Sequence, residues 1–379
     1  MLSQQQMHGV PDAELRQRIA EGRRVSPEEA LFLLREWPLL DLGTLAFARK
    51  QARHGNVATF IVNKQINPTN LCVHSCKFCE FAAKPGDAHA YSLEEDGILA
   101  SLSDPDLAEV HIVGGLWKTW TMERSLALVS RIRSEYPHLW IKAFTAVEVD
   151  FFARVTKNSW ETVLQAMRDA GVDAMPGGGA EVLSERIHQE LYKDKMGPEK
   201  YLAVHETAHR MGMQTNSTLL FGHIETDEEL VSHLFQLRDL EDRAPGFEAF
   251  IPLAFQPGET GITTSLVSPM RCLKVIALSR LVLDNIPHIK AYWPTLQLET
   301  GVTALSFGAD DLDGTLGVER IMQLAGTGAP KGMGIELMER LIRDAGQTPM
   351  RRTGKFQRLI TDPAEEPALK IHELQVVNV

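Results

Sequence analysis

From residue 57 onward, short apolar runs alternate with longer amphipathic segments. The short runs have the length and the β-branched and aromatic content of buried strands. They predict eight strands, at 58–65, 109–113, 139–144, 172–175, 214–219, 247–253, 288–293 and 302–307. The amphipathic segments predict helices in most of the intervals, at 93–103, 122–136, 159–170, 199–211, 227–241 and 269–285. The last interval, 294–301, is too short for a full helix.

Strands that alternate with helices pair in parallel through right-handed crossovers. Eight such strands over about 250 residues predict an α/β protein of the (β/α)8 TIM-type barrel class, with a doubly wound open sheet as the alternative. Polar, leucine-punctuated residues before the barrel predict an N-terminal helical segment, 1–55, followed by the barrel, 56–325. Residues 326–379 are expected to form a C-terminal helical extension and a loosely packed tail.

Polar and glycine residues recur where the predicted strands end. Because the catalytic groups of such barrels lie on the loops after the carboxyl ends of the strands, we expect the site there. His223 and Asn216 can hydrogen-bond a substrate, although His223 and the nearby Glu225 can equally be a solvated loop pair. The candidates at this end are Gly114, Gly115, Thr145, Glu148, Asn216, His223, Asp310 and Asp311.

Two neighbouring aspartates follow the last predicted strand. Asp310 and Asp311 stand next to Gly308 in the stretch ALSFGADDLDG, so they are expected to line the barrel mouth and to act in catalysis. The alternative is a helix start, where Asp is a good N-cap. Two lysines on predicted strands, Lys142 and Lys290, either bind substrate or extend to the surface.

The composition narrows the function classes. A hydrophobic fraction of 44% argues against a disordered chain. With 50 acidic and 39 basic side chains, the net charge is -11, which disfavours broad binding to nucleic acid or to anionic membranes. The sequence has neither an apolar run of about 20 residues nor a signal-peptide pattern at its start, so we expect a cytoplasmic protein.

Three of the four cysteines lie close together in LCVHSCKFCEF, at Cys72, Cys76 and Cys79. Thiolates suit zinc and iron–sulfur clusters. A structural zinc site needs four protein ligands, so zinc would require His74 or a distant residue. A [4Fe-4S] cluster held by three cysteines instead leaves one iron open to chelate a small molecule. Cys272 lies in an apolar, helix-like stretch and is expected to be a buried structural thiol.

The CxxxCxxC spacing, with the aromatic Phe78 before the last cysteine, resembles the signature of the radical SAM superfamily. The resemblance implies a [4Fe-4S] cluster and S-adenosylmethionine as co-substrate. It also implies that Phe78 packs on the adenine and that Gly114 and Gly115 contact the methionine portion. Thr145 and Glu148 would bind the ribose, although Glu148 can also simply begin a helix.

Within the superfamily, the chain resembles the enzymes of the futalosine route to menaquinone and the deazaflavin (FO) synthases, and above all the aminodeoxyfutalosine synthase family. The resemblance implies addition of the 5′-deoxyadenosyl radical to 3-[(1-carboxyvinyl)oxy]benzoate, with electrons from a flavodoxin or ferredoxin. The chain departs from the family at Trp117-Lys118, where His-Pro is usual. The matching stretches are NPTNLCVHSCKFCEF, EVHIVGG, HLWIKAFTAVEVDFFA, MPGGGAE, TNSTLLFGHIET, FIPLAFQP, LVLDNIPHIKAYW and ALSFGADDLDGT.

Two other functions remain open from the sequence. One is a sister radical SAM enzyme, a dehypoxanthine futalosine cyclase or an FO synthase subunit, that abstracts hydrogen from its substrate. The other is a non-catalytic protein that binds zinc or an iron–sulfur cluster. The mass of the product distinguishes the first from adenosyl addition, and iron and sulfide counts test the second.

Overall fold

Parallel strands form the centre of the molecule. The computed structural model describes residues 12–262, 265–315, 320–328 and 330–359. Seven strands, β2 to β8, pair in sequence order in one parallel sheet. The strands are β1 (Val57–Ile61), β2 (Asn63–Ile66), β3 (Glu109–Ile112), β4 (Trp140–Lys142), β5 (Ala174–Met175), β6 (Gln214–Phe221), β7 (Phe247–Ala254), β8 (His288–Ile289), β9 (Asp311–Gly314) and β10 (Thr348–Arg351).

Strand β9 joins the two edges of this sheet. Asp311 makes a parallel bridge with Lys290, just after β8, and pairs with Thr59 of β1 on its other side. Only one residue separates β1 from β2, so the chain itself joins the three-stranded sheet of β10, β1 and β9 to the seven-stranded sheet, and together they enclose the barrel. The predicted (β/α)8 barrel is confirmed, and the doubly wound alternative is wrong. Strand β10 adds a parallel neighbour to β1 outside this ring.

The six predicted helices are present, and they cover the outside of the barrel. Sequence alone misplaced the last strand, because 302–307 lies in a helix and a 3-10 turn (Leu305–Phe307), and the strand is β9. The helices are α1 (Asp12–Ala20), α2 (Pro27–Arg35), α3 (Leu39–His54), α4 (Glu95–Ala100), α5 (Met122–Glu135), α6 (Ala146–Thr156), α7 (Trp160–Ala170), α8 (Glu185–Leu191), α9 (Pro198–Arg210), α10 (Asp227–Arg243), α11 (Pro269–Val282), α12 (Trp293–Leu296), α13 (Leu298–Ala304), α14 (Arg320–Leu324) and α15 (Ile335–Asp344).

The first three helices form a layer on the barrel helices α10 and α11. Ser26 begins α2 with a capping box, in which its hydroxyl accepts from the N–H of Glu29. Arg24 and Arg35 tie this layer to acidic residues of α10, through Asp242 and Asp227 respectively. Among the described residues, no helix combines the length and the apolar character needed to cross a bilayer. Residues 360–379, where the loosely packed tail is expected, lie outside the described residues.

Buried ion pairs fill the barrel interior between its amino end and the cavity at its carboxyl end. The ammonium of Lys142 lies 3.2 Å from Glu109 and 3.1 Å from Glu248, and that of Lys290 lies 2.8 Å from Asp313. Both lysines are fully buried, so they do not extend to the surface. Buried charges are costly unless they are paired, and the alternating signs inside the barrel meet that requirement.

Asp310 and Asp311 belong to this amino end, and the expectation that they line the barrel mouth is wrong. Because β9 starts at Asp311, both residues stand at the beginning of a strand. Asp310 binds Arg280 and accepts a 2.5 Å hydrogen bond from His288. Burial alone would raise the pKa of Asp310, but the charges of His54, His288 and Arg280 outweigh it and hold the pKa well below its usual value.

Candidate active site

The cysteine loop follows β2 at the carboxyl end of the barrel. Asn70 is fully buried and anchors the loop, because its amide donates to the carbonyl of His89 (2.9 Å) and accepts from the N–H of Tyr91 (2.8 Å). The Cys72 N–H donates to the carbonyl of Ala83 (3.1 Å). All three cysteines of the motif, Cys72, Cys76 and Cys79, line one cavity with a volume of about 340 Å³.

The donor set of this loop fits an iron–sulfur cluster. Burial raises the pKa of the Cys76 thiol to about 12, and it also raises the pKa of Cys79. Such thiols are poor nucleophiles, but a metal can displace their protons and bind them as thiolates. Cys272 is buried in α11, as predicted, and is not among the residues that line this cavity. Three soft ligands from one loop therefore face the cavity together.

The glycine pair after β3 packs directly against the cysteine loop. The Gly115 N–H donates to the carbonyl of Thr69 (2.7 Å), and a Cβ at this position would lie 2.2 Å from the carbonyl oxygen of Leu71. Only glycine allows this approach. Gly114 donates to the carboxylate of Glu148 (3.2 Å), and both glycines line the cavity.

Thr145 and Glu148 begin α6 and also line the cavity. They form a capping box, in which Glu148 accepts from the N–H and the hydroxyl of Thr145, both at 2.7 Å. Burial raises the pKa of Glu148 to about 7, against the hydrogen bonds from Thr145 and Gly114 that lower it. Near neutral pH this carboxyl group can therefore exchange a proton or donate to a ligand hydroxyl. Glu148 therefore begins α6 and lines the cavity with the same side chain, and its binding of a ribose stays a prediction.

The triple glycine after β5 is a packed turn. The carbonyl of Gly177 accepts from the hydroxyls of Tyr201 (2.7 Å) and Thr218 (2.8 Å). A Cβ at Gly177 would lie 2.7 Å from the backbone of Asn216, whereas one at Gly178 would meet Thr145 at an ordinary 3.6 Å. Gly177 therefore holds β5 and β6 together, and Gly178 leaves room at the cavity wall.

Asn216 of β6 is the clearest recognition group in the cavity. It is fully buried, and neither its Nδ2 nor its Oδ1 has a hydrogen-bond partner among the described residues. A buried amide without partners is costly, so these two atoms are well suited to a ligand that both donates and accepts. His223 lies behind this wall, with its ring edge-on to the cavity residue Phe255 at 5.9 Å. Burial lowers the pKa of His223.

Several cavity residues were missed in the sequence. In His111 of β3, the Nε2 lies 2.7 Å from the Oε1 of Glu109, and the Nδ1 lies 3.3 Å from the Nε2 of Gln65. The alternation of side chains along β3 could have placed His111 on the inner face with Glu109. Lys195 is the only lysine or arginine among the described lining residues; it pairs with Glu181 at 2.5 Å. Other unpredicted lining residues include Gln256 and Asp313.

Two protein-family models match the chain. The radical SAM superfamily matches residues 66–237, and the CofH/MqnC C-terminal region matches residues 244–364. The aminodeoxyfutalosine synthase of Thermus thermophilus is 37% identical over 93% of this chain and 97% of its own length. The corresponding enzyme of Streptomyces coelicolor is 33% identical over 94% of this chain and 96% of its own length.

A sister enzyme and two solved structures are also similar. The cyclic dehypoxanthine futalosine synthase of Streptomyces coelicolor is 36% identical over 92% of this chain and 90% of its own length. The hydrogenase maturase HydG of Carboxydothermus hydrogenoformans superposes with a TM-score of 0.70 at 15% identity, covering 91% of this chain and 80% of its own. Methylornithine synthase (PylB) superposes with a TM-score of 0.70 at 18% identity, covering 89% and 97% of the two chains. These two structures show the shared fold.

Proposed function

Because this chain belongs to the radical SAM superfamily, in the branch of the aminodeoxyfutalosine synthases and cyclic dehypoxanthine futalosine synthases, we propose that it is an aminodeoxyfutalosine synthase. The substrate is 3-[(1-carboxyvinyl)oxy]benzoate. The 5′-deoxyadenosyl radical from S-adenosylmethionine adds to its vinyl carbon, and rearrangement with loss of one carboxyl group gives aminodeoxyfutalosine. S-adenosylmethionine is consumed, since its adenosyl group remains in the product.

One observation carries the proposal: the three cysteines, both glycine motifs and the unpaired Asn216 share one cavity at the carboxyl end of the barrel. Cys72, Cys76 and Cys79 would hold a [4Fe-4S] cluster. When bound, the cluster supplies the electron that releases the adenosyl radical from S-adenosylmethionine.

The other lining residues position the two small molecules. Phe78, which lies 6.0 Å from the ring of Tyr192 in an edge-to-face contact, offers an aromatic face for the adenine. Gly114 and Gly115 present backbone close to the methionine portion. Thr145 and Glu148 are suited to ribose hydroxyls, because Glu148 can accept or donate near neutral pH.

The carboxylated aromatic ether is assigned to the β6 side of the cavity. Asn216 would orient it directly, and His223 would act from behind the wall through Phe255. Ile251 and Leu253 of β7 add an apolar surface for the aromatic ring. Confinement by these walls holds the primary radical beside the vinyl carbon and keeps other C–H hydrogen donors away from it. Asp310 and Asp311 have no part in this assignment, since both lie in ion pairs at the opposite end.

A low-potential electron donor, a flavodoxin or a ferredoxin, completes the proposed system. The test is anaerobic reconstitution of the protein with iron and sulfide, followed by incubation with adenosine-labelled S-adenosylmethionine, a reductant and the enolpyruvyl benzoate. We expect the label in a covalent adenosyl product with the mass of aminodeoxyfutalosine, and only a minor amount in free 5′-deoxyadenosine. Absence of that product from a protein with a full cluster rejects the proposal.

The similarity to the cyclic dehypoxanthine futalosine synthase, at 36% identity, supports a second candidate function. An enzyme of that kind would abstract hydrogen. The same experiment separates the two, because abstraction places the label only in free 5′-deoxyadenosine together with a hydrogen drawn from the substrate.

A further inference from the structure

One ammonium group holds three consecutive carbonyls of the cysteine loop. The Nζ of Lys84 donates to the backbone oxygens of Cys72 (2.8 Å), Val73 (3.2 Å) and His74 (2.8 Å). These residues are the first cysteine of the motif and the two residues that follow it. All three donors of the lysine are thus used on the backbone of a single loop.

The backbone of Lys84 is itself fixed by a tight turn. Pro85 and Gly86 occupy its central positions, with Gly86 at a φ of +97°, and the Asp87 N–H donates to the carbonyl of Lys84 (3.1 Å). Pro then Gly at these positions is typical of a type II turn. The Lys84 N–H also donates to the carboxylate of Asp87 (2.7 Å). The backbone of Lys84 is therefore held in place beside the loop, and only the rotamer freedom of its side chain is lost when the ammonium binds the carbonyls.

The hydrogen bonds from Lys84 to the carbonyls also orient the N–H groups of the loop. In a trans peptide unit the C=O and the N–H point in opposite directions. The N–H of Val73 is held by the carbonyl of Leu116 at 2.9 Å. The N–H groups of His74 and Ser75 point away from the ammonium, and they donate no hydrogen bond to any described residue. Two backbone donors are therefore left available on the other side of the loop.

We propose that Lys84 is a positioning residue for the iron–sulfur cluster: its ammonium sets the conformation of loop 72–75 and thereby its free N–H donors. Hydrogen bonds to cluster sulfurs and local charge are two of the factors that set a cluster's reduction potential. Hydrogen-bond donors to the sulfurs and a nearby positive charge both stabilise the reduced cluster, which is the more negative state. Lys84 therefore raises the reduction potential of the cluster. The inference rests on the cluster of the proposed function but not on the identity of the substrate.

The test compares Lys84→Met with Lys77→Met in anaerobically reconstituted, full-length protein. Lys77 lies in the same motif and is exposed, and its side chain makes no hydrogen bond or ion pair with a described residue, so it is a matched loss of charge without loss of the loop contacts. The reduced fraction of the cluster is followed by EPR in a redox titration without substrate. In Lys84→Met we expect the ratio of reduced to oxidised cluster at a fixed potential to fall about tenfold, a midpoint shift of about 59 mV. In Lys77→Met we expect less than a threefold change.

A wild-type midpoint in Lys84→Met would overturn the inference, because the loop contacts would then have no effect on the cluster. Equal midpoint shifts in both variants would also overturn it, because the loss of charge alone would then explain them. If Lys84→Met takes up no cluster, Lys84→Arg decides: restored iron and sulfide content supports the positioning role, and failure of uptake in an Arg variant that melts like the wild type overturns it. None of these readouts involves product. If these results are obtained and the protein makes no aminodeoxyfutalosine, the proposed function is rejected and the inference on Lys84 stands.

Discussion

Glu148 shows how a single side chain can serve both a helix and a cavity. At the third position of α6 its carboxylate caps the helix, and the same group faces the ligands that the cavity would hold. Sequence reasoning placed the residue correctly and left its role open. The protonation of Glu148 could not be predicted, because it depends on complete burial by residues distant in sequence.

The titration of Glu148 predicts a pH-dependent stability. Its folded pKa of about 7 lies above the ordinary glutamate pKa of 4.5, so the folded state binds more protons than the unfolded state between these values. Stability is therefore lost as pH rises through this window, by up to about 3 kcal/mol. Glu148→Gln stays neutral and can keep the cap. In urea unfolding, the free energy of the variant should rise relative to wild type from pH 5 to pH 8.

Glu229 is a matched control with the opposite shift. It holds the same position in the capping box of α10, and hydrogen bonds from Arg186 and Thr226 outweigh its burial and lower its pKa to about 2. The stability from this group is present above pH 4.5 and is lost only below it. Glu229→Gln should therefore differ from wild type by a constant amount between pH 5 and pH 8. A similarly flat difference for Glu148→Gln would contradict the shift assigned to Glu148.

A second prediction at the residue scale concerns cluster binding by the cysteines. Replacing Cys72, Cys76 or Cys79 by Ala removes one of the three ligands that line the cavity, so each variant should lose the cluster. Cys272→Ala, which changes a thiol buried in α11, should keep it. Iron and acid-labile sulfide are counted after anaerobic reconstitution. Stoichiometric zinc without sulfide in the wild type would show that the loop is a zinc site.

At the scale of the elements, sequence patterns predicted the helices and most strands but misplaced the last strand. The run VTALSF alternates like a strand, yet it continues α13 into a 3-10 turn, and Phe307 packs against Gly43 of α3. The true strand, β9, has Asp311 and Asp313 on its inner face, paired with Arg352 and Lys290. A hydrophobic pattern cannot reveal a strand whose inward positions are charged.

The glycines that join elements predict a difference between neighbours. At Gly177 a Cβ would overlap the backbone of β6 at 2.7 Å, while at Gly178 the nearest atom lies at 3.6 Å. Gly177→Ala should cost about 1–3 kcal/mol of unfolding free energy, as overpacking does. Gly178→Ala should stay within about 0.5 kcal/mol of wild type. Denaturant unfolding measures both. Equal costs would mean that the close approach of β5 to β6 is not what requires Gly177.

At the scale of the whole molecule, the barrel has two different ends. The carboxyl end carries the cavity, as expected from the glycine and polar residues after the strands, and nine of the predicted site residues line it. The amino end is closed by charges that come together from distant parts of the chain. Arg352, after β10, reaches Asp311, and the ring of Phe356 lies 3.9 Å from its guanidinium. Such long-range pairing leaves no local signal, so the sequence could not predict it.

This closure makes Asp311 a structural residue, and its substitution tests that role. Arg352 and Asp311 are both fully buried, and Asp311→Asn would leave the guanidinium without its counter-charge. Breaking a buried pair in this way costs about 3–5 kcal/mol. The preceding residue, Arg351 at the end of β10, provides the control, since it pairs at 2.9 Å with Asp106, whose side chain is 54% exposed. Asp106→Asn should therefore cost no more than about 1 kcal/mol.

Urea unfolding of Asp311→Asn, Asp106→Asn and wild type tests whether Asp311 is a structural residue at the amino end or a catalytic residue at the mouth. A large loss of stability in Asp311→Asn alone fits a buried pair that locks β9 to the segment after β10. Wild-type stability in that variant together with a fall in turnover would instead return Asp311 to the catalytic mouth. The structure argues for the first result, because the carboxylate of Asp311 already accepts from Thr59 (2.5 Å) and from the N–H of Asp313 (2.9 Å) as well as from Arg352, which leaves it little capacity for a substrate.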